Sequence, residues 1–250
     1  MLHDVFTVMW KEWKELLQFQ GGSRSGLTGL LIMIAIFGIV MPLQWGTMWV
    51  ESAASLTLWL IIPMTLAATI VADTFAGERE RHTLETLLAS RLSDRAILLG
   101  KISAAVIFEW VITQLVFLVA LIPTNILHGR GGLILYTPTI AFSGMLLSML
   151  IASLVSIVGV MVSLRATTVK EGQQKLGISV FVIAYAVPMV GVYSLRYFPN
   201  ELRQKLMQTL LNGDVALPAL ITSAVLTVLV LLLYIVTKSR FQRARLILND

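Results

Sequence analysis

The chain has 250 residues, of which 57% are hydrophobic and only 13% charged, with a mean hydropathy of +0.83 and a formal charge of +5. Soluble domains carry about 25% charged residues, so an ordinary soluble fold is excluded and a polytopic membrane protein is indicated. With no cysteine, disulfides, thiol catalysis and cysteine metal sites are excluded as well.

The first predicted element is an amphipathic helix over Leu2 to Gln20. Val5, Met9, Trp13, Leu16 and Leu17 fall on one face, and Asp4, Lys11, Glu12, Lys14, Glu15 and Gln18 largely on the other. Two tryptophans in such a helix suit the water–lipid boundary. Charges inside the segment argue against a cleaved signal peptide, and Gly21 to Gly26 supplies a flexible bend. Six spans follow, at about Leu27–Pro42, Ala53–Asp73, Ile102–Thr124, Thr137–Leu164, Leu176–Leu195 and Val215–Thr237. The expected fold class is therefore all-α: an interfacial helix plus six transmembrane helices forming one domain over residues 1–250.

Six spans return both termini to one side. Of the nineteen Lys and Arg residues, only Arg130, Arg196, Arg203 and Lys205 fall in the connections opposite the termini. The excess on the other set places both termini, and the connection after the second span, in the cytoplasm.

That connection, residues 76–101, has its own pattern. Glu78, Arg79, Glu80 and Arg81 give way to Leu84, Leu87, Leu88 and Leu92 at helical spacing. The pattern predicts a short amphipathic helix across the mouth of a two-span hairpin, resting on lipid or on a partner protein. Arg81 and Glu85 stand four apart and can pair along it. Ser93 is placed to cap a new helix, with Asp94 in its first turn.

The run Phe75-Ala76-Gly77-Glu78-Arg79-Glu80-Arg81, then Thr83-Leu84-Glu85, Leu87-Leu88-Ala89-Ser90, Ile97 and Gly100-Lys101 resembles the signature segment of type-2 ATP-binding-cassette (ABC) transporter permeases. His82 stands where that family usually has Gly, and Arg91 where it often has Pro. The resemblance implies that residues 76–95 form a coupling helix seated in a groove of a separate ATP-binding subunit. Glu78, Arg79, Arg81, Leu84, Glu85, Leu87, Leu88 and Leu92 would carry the contact. It also implies a dimer, with a second copy or a homologous permease, bound to two ATP-binding subunits in the cell's inner membrane. ATP and Mg would belong to the partner, with no cofactor or metal in this chain, and the direction of transport would be export.

The remaining signals are local. The fourth span carries Gly144, Ser148, Ala152 and Ser156 four apart, with Gly159 and Ser163 beyond; small residues let helices approach closely, either within the subunit or at a dimer interface. Glu109 lies two turns into the third span, where a charge is costly. It reads as a pathway or gating residue or as a buried tether between helices, with Thr113 or Gln114 near. Asp73, at the end of the second span, reads as a helix-end or coupling-segment contact rather than a proton carrier. Pro63 and Pro188 sit within spans and can kink them. Pro199-Asn200 starts an external helical segment over 198–214, with Leu202, Leu206 and Leu210 at helical spacing and Gly213 ending it. The basic tail 238–250 holds the last span against anionic lipid, with no nucleic-acid role.

No phosphate-binding loop or H-E-x-x-H zinc motif occurs, no nucleophile elbow occurs, and His3, His82 and His128 lie far apart. The chain is therefore read as a permease rather than an enzyme. Two other readings stay open: an ion-coupled secondary transporter using Glu109 and Asp73, and a non-transporting membrane scaffold. Nothing in the sequence selects a substrate.

Overall fold

The structure is a computed structural model. It describes residues 2–18, 24–52, 55–83, 86–87, 89–129, 132–182, 195–197, 199–201, 203–204 and 216–240. The described residues are helical with short connections, and five helices are long and apolar enough to cross a membrane: Thr28–Trp45, Ser55–Glu80, Asp94–His128, Pro138–Ser163 and Ala216–Ser239. The all-α polytopic class follows directly.

Helix α1 (Leu2–Gln18) lies against the third span. The first span is built from α2 (Arg24–Ala35), a π-helical turn (Ile36–Val40) and α3 (Met41–Trp45). Its helix starts at Arg24, so Gly26 lies inside it rather than in the expected bend; residues 19–23 lie outside the described set. The π turn buries Gly38, whose missing side chain admits Val119 of the third span. Helix α4 (Met48–Glu51) follows the positive-φ turn at Gly46.

The second, third and fourth spans are α5 (Ser55–Glu80), α6 (Asp94–His128) and α7 (Pro138–Ser163). Pro63 lies within α5. Helix α8 (Val169–Phe181) begins the expected fifth span, whose residues 183–194, Pro188 among them, lie outside the described set. The last span is α9 (Ala216–Arg240), packed along α7. Of the segment expected to be external, residues 200–201 and 203–204 are helical and Arg203 N–H donates to Pro199 O. Leu202, Leu206, Leu210 and Gly213 are outside the described residues, as is the tail beyond residue 240.

Two apolar clusters fill the bundle. One, toward α1, gathers Phe75, Ile97, Leu98, Ala152, Val155 and Val160 from α5, α6 and α7. The other, at the opposite end, is aromatic. Trp59 stacks on Phe117 at 4.0 Å between centroids, Trp49 stacks on Phe117 at 5.9 Å, and Trp49 Nε1 donates to Tyr136 Oη at 3.0 Å. Nearby, the Asn125 side chain pairs with both the N–H and the C=O of Ile134, which fixes the connection into α7.

The small-residue stripe of α7 explains the closeness of its neighbours. Gly144 lies against the face of the Trp59 indole, and Gly159 against Val71 and Leu176. Ser148 accepts from Gln114 Nε2, Ala152 is fully buried, and Ser156 meets Glu109. The stripe therefore packs within the chain, the first of the two roles its spacing allows.

Candidate functional site

The helix of the second span does not stop at Asp73, the expected end of the span. Helix α5 continues to Glu80, so Gly77, Glu78, Arg79 and Glu80 form its last turns rather than part of a separate surface helix. The physical reason is that Ala76, Gly77 and Glu78 are buried by neighbouring elements, so no change of environment ends the helix there. A terminal hydrogen-bond pattern ends it instead. His82 N–H donates to Arg79 O, Thr83 N–H donates to Glu78 O, and His82 has φ 54°. This is a Schellman motif with His82 at the left-handed position that glycine usually fills.

The four residues Glu78 to Arg81 each grip a different part of the molecule. Glu78 is 4% exposed. Its Oε1 accepts from Lys101 Nζ and from Lys11 Nζ, each at 2.9 Å. Arg79 donates from Nη1 to Ala166 O and from Nη2 to Leu164 O at 3.4 Å, which caps the end of α7. Glu80 Oε1 accepts from Val169 N–H at 3.2 Å, at the start of α8. Arg81 Nη2 binds both oxygens of Asp73, at 2.8 and 3.0 Å. The expected partner of Arg81, Glu85, lies outside the described residues. Gly77 leaves the room over which the Asp73 carboxylate reaches it.

Lys101 is the centre of the assembly. Its side chain is 0% exposed, and its three N–H groups go to Glu12 Oε1 at 2.7 Å, Thr74 O at 2.8 Å and Glu78 Oε1 at 2.9 Å. Nζ also stands 5.1 Å from the Phe75 ring centre, close enough for a cation–π attraction. A buried ammonium is tolerated only when its donors are satisfied, and here all three are. Glu12 is thus not on the polar face expected for it: it is 8% exposed, and with Val8 it forms the stripe of α1 that meets α6. Val8 fits against Gly100, and Trp13 Nε1 donates to Ala104 O at 3.2 Å. Lys11, half-exposed, ties Glu12, Glu15 and Glu78. Burial alone would lower its ammonium, but the three carboxylates outweigh that and hold it above its ordinary value.

From the opposite side, Ser163 of α7 enters the same stretch of α5. Its Oγ accepts from Phe75 N–H and Ala76 N–H, each at 3.0 Å, and donates to Ala72 O at 2.9 Å. Beyond the last turn, Leu87 and Leu92 are partly buried against the α5–α6–α7 core. Leu84, Glu85 and Leu88 are outside the described residues. Ser93 caps α6 as expected, its Oγ accepting from Ala96 N–H at 3.3 Å.

Glu109 lies apart, about 12 Å along α6 from Lys101 at the rise of a helix. It is fully buried, and both carboxylate oxygens stand 3.3 Å from Ser156 Oγ of α7. Thr113 donates to its backbone carbonyl, while Gln114 turns to Ser148. Among the described residues, no group of three or more acidic or histidine side chains could hold a metal.

Sequence reasoning missed Glu12, Glu80, Lys101 and Ser163. The spacing Val8–Glu12 on one face of α1 was the available signal for Glu12. Lys101, at the charged end of an apolar run, looks like any membrane-flanking lysine until its neighbours are known.

The described residues thus form a helical bundle with five candidate membrane spans and a densely tied charged knot at the end of its second span. Residues 44–246 match the model of the ABC-2 family transporter protein, and the chain belongs to that family. It is 27% identical over 220 residues to the ABC transporter permease protein NatB of Bacillus subtilis (strain 168), a match that covers 79% of this chain and 56% of that protein. The chain thus spans little more than half the length of the curated relative it matches.

Proposed function

We propose that this chain is the membrane subunit of an ABC exporter, and that residues 76–95 receive the movement of a separate ATP-binding subunit. The observation that carries the reading is the fourfold grip of Glu78, Arg79, Glu80 and Arg81. A load on the turn beyond Arg81 reaches α1 and α6 through Glu78, the end of α7 through Arg79, and the start of α8 through Glu80. In this reading Leu84, Glu85 and Leu88 meet the partner, with Leu87 and Leu92 seating the segment on the core. Glu78 and Arg79 transmit the movement from within.

The working assembly has two such chains, identical or homologous, and two ATP-binding subunits holding ATP and Mg. Its termini lie in the cytoplasm and its setting is the inner membrane, as the lysine and arginine bias implies. Asp73 is engaged by Arg81 and Glu109 by Ser156, in different parts of the bundle. They form no joint ion site, so no second reading is advanced.

The test is recovery of the tagged chain from its native membrane, followed by identification of the proteins that accompany it. Wild type brings a stoichiometric ATP-binding subunit, and Leu88→Asp loses it while the chain stays in the membrane. Absence of such a subunit, or a Leu88→Asp variant that binds and transports normally, overturns the reading.

A further inference from the structure

Glu12, Glu78 and Glu109 are the buried carboxyls among the described residues. The first two are met by Lys101 Nζ at 2.7 and 2.9 Å. Nothing comparable reaches Glu109. Across the six expected spans the sequence has no Lys, Arg or His, and no acid except Glu109 and Asp73, the last residue of the second.

The helices packed against α6 repeat the point. Thr28–Trp45 and α7 carry no charged side chain. Helix α5 has none before Asp73, which Arg81 holds. Helix α1 reaches Ala104 through Trp13 but turns Glu12 to Lys101. On α6 itself, Lys101 lies about 12 Å away along the helix with its three N–H groups committed, and His128 stands at the opposite end.

What Glu109 does have is one hydroxyl. Ser156 Oγ stands 3.3 Å from each of its carboxyl oxygens. An ionised carboxylate draws a hydroxyl in to about 2.5–2.7 Å, so the contact is too long for a charge-assisted bond. One neutral donor also leaves a buried negative charge uncompensated, and a carboxyl in that position is cheaper to keep protonated.

We propose that Glu109 is a proton-binding site: a neutral carboxylic acid that pins α6 to α7 through Ser156, and that gives up its proton only where the two helices part and water enters. The closed contact then binds one proton more than the parted one. Raising the pH therefore favours parting, by at most about tenfold in the population ratio per pH unit, the limit for a single proton. The bound proton belongs to this chain alone; its use as a brake on helix movement rests on the transport reading above.

Infrared spectroscopy of the full chain in lipid nanodiscs at neutral pH tests the site without any soluble subunit. The difference between wild type and Glu109→Gln is expected to contain the carbonyl stretch of one neutral carboxyl, because Gln keeps the shape and lacks the acid. Ser156→Ala is expected to keep that band and move it to higher frequency, because the carboxyl loses its hydrogen bond. Where Glu109→Gln fails to fold, the Ser156→Ala shift decides. Hydrogen exchange reads the brake. Raising the pH should speed exchange of the α6 and α7 amides around Glu109 in wild type, by up to about tenfold per pH unit relative to Glu109→Gln at the same pH. A difference spectrum holding only carboxylate bands, or a Ser156→Ala variant with no shift, overturns the proton site. A neutral-acid band with equal exchange in both proteins at every pH overturns the coupling of its release to helix parting.

Discussion

At the residue scale, Lys101 decides how three elements meet. Its ammonium sits between Glu12 and Glu78 without contact to water. Removing one partner from a buried ion pair is strongly destabilising, because the remaining charge stays buried and unmatched. Lys101→Met leaves the buried Glu12 and Glu78 with only the half-exposed Lys11 beside them and is expected to lower stability by about 3 kcal/mol, measured as thermal unfolding of the detergent-solubilised chain. A cycle with Glu12→Gln then recovers part of the loss, since the two share one network. Glu171 behaves differently because it is half-exposed at the surface. Lys175 and Thr167 hold its carboxylate down to about 2 from an ordinary 4.5. A depressed acid contributes stability above its ordinary value and loses it as the pH falls through the depressed one. The hold on the α7–α8 connection is therefore complete above pH 4.5 and fades toward pH 2. Carboxyl titration of Glu171 by NMR follows it, and added salt shifts the midpoint upward.

At the element scale, α5 carries the span and the charged run that follows it in one continuous helix. Its charged end is held by Lys101 on one side and Ser163 on the other, and its terminus is set by the turn at His82. A residue with a side chain in the left-handed region is strained by roughly 1–2 kcal/mol, which glycine avoids. His82→Gly is therefore expected to stabilise the end of α5 by about 1 kcal/mol after the greater chain entropy of glycine is counted. Amide exchange at Thr83, whose N–H donates to Glu78 O, should slow accordingly. Unchanged or faster exchange would show that the motif is held by other contacts.

At the scale of the whole molecule, α1 is part of the bundle and more than a surface anchor. It covers Gly100 and Lys101 and closes the base of α6. A chain lacking residues 2–18 is expected to reach the membrane with its spans intact but with a loosened α5–α6 connection. Trypsin should then cut at Arg91 and Arg95, both exposed, faster than in the full chain, while sites between the spans stay protected. Equal cutting rates would mean that α1 does not brace the connection.

The sequence by itself determined the membrane setting of this protein, the approximate positions of five of its spans and the charged, helical character of the run that follows the second span. These follow from local quantities: runs of apolar residues, the placement of lysine and arginine, and helical spacing. The cap at Ser93 was legible for the same reason, since a cap is made within a few residues of chain. Only the tertiary structure decided what the charges do. Glu12, Glu78 and Lys101 lie on three separate elements, up to 89 residues apart in the chain, and helical spacing carries no information about which neighbour a charged face will meet. The same holds for Ser163, which looks like one more small residue in a stripe until α5 packs against it. Burial of those polar groups was forced by packing, and their pairing followed because an unmatched charge in that place is too costly to keep.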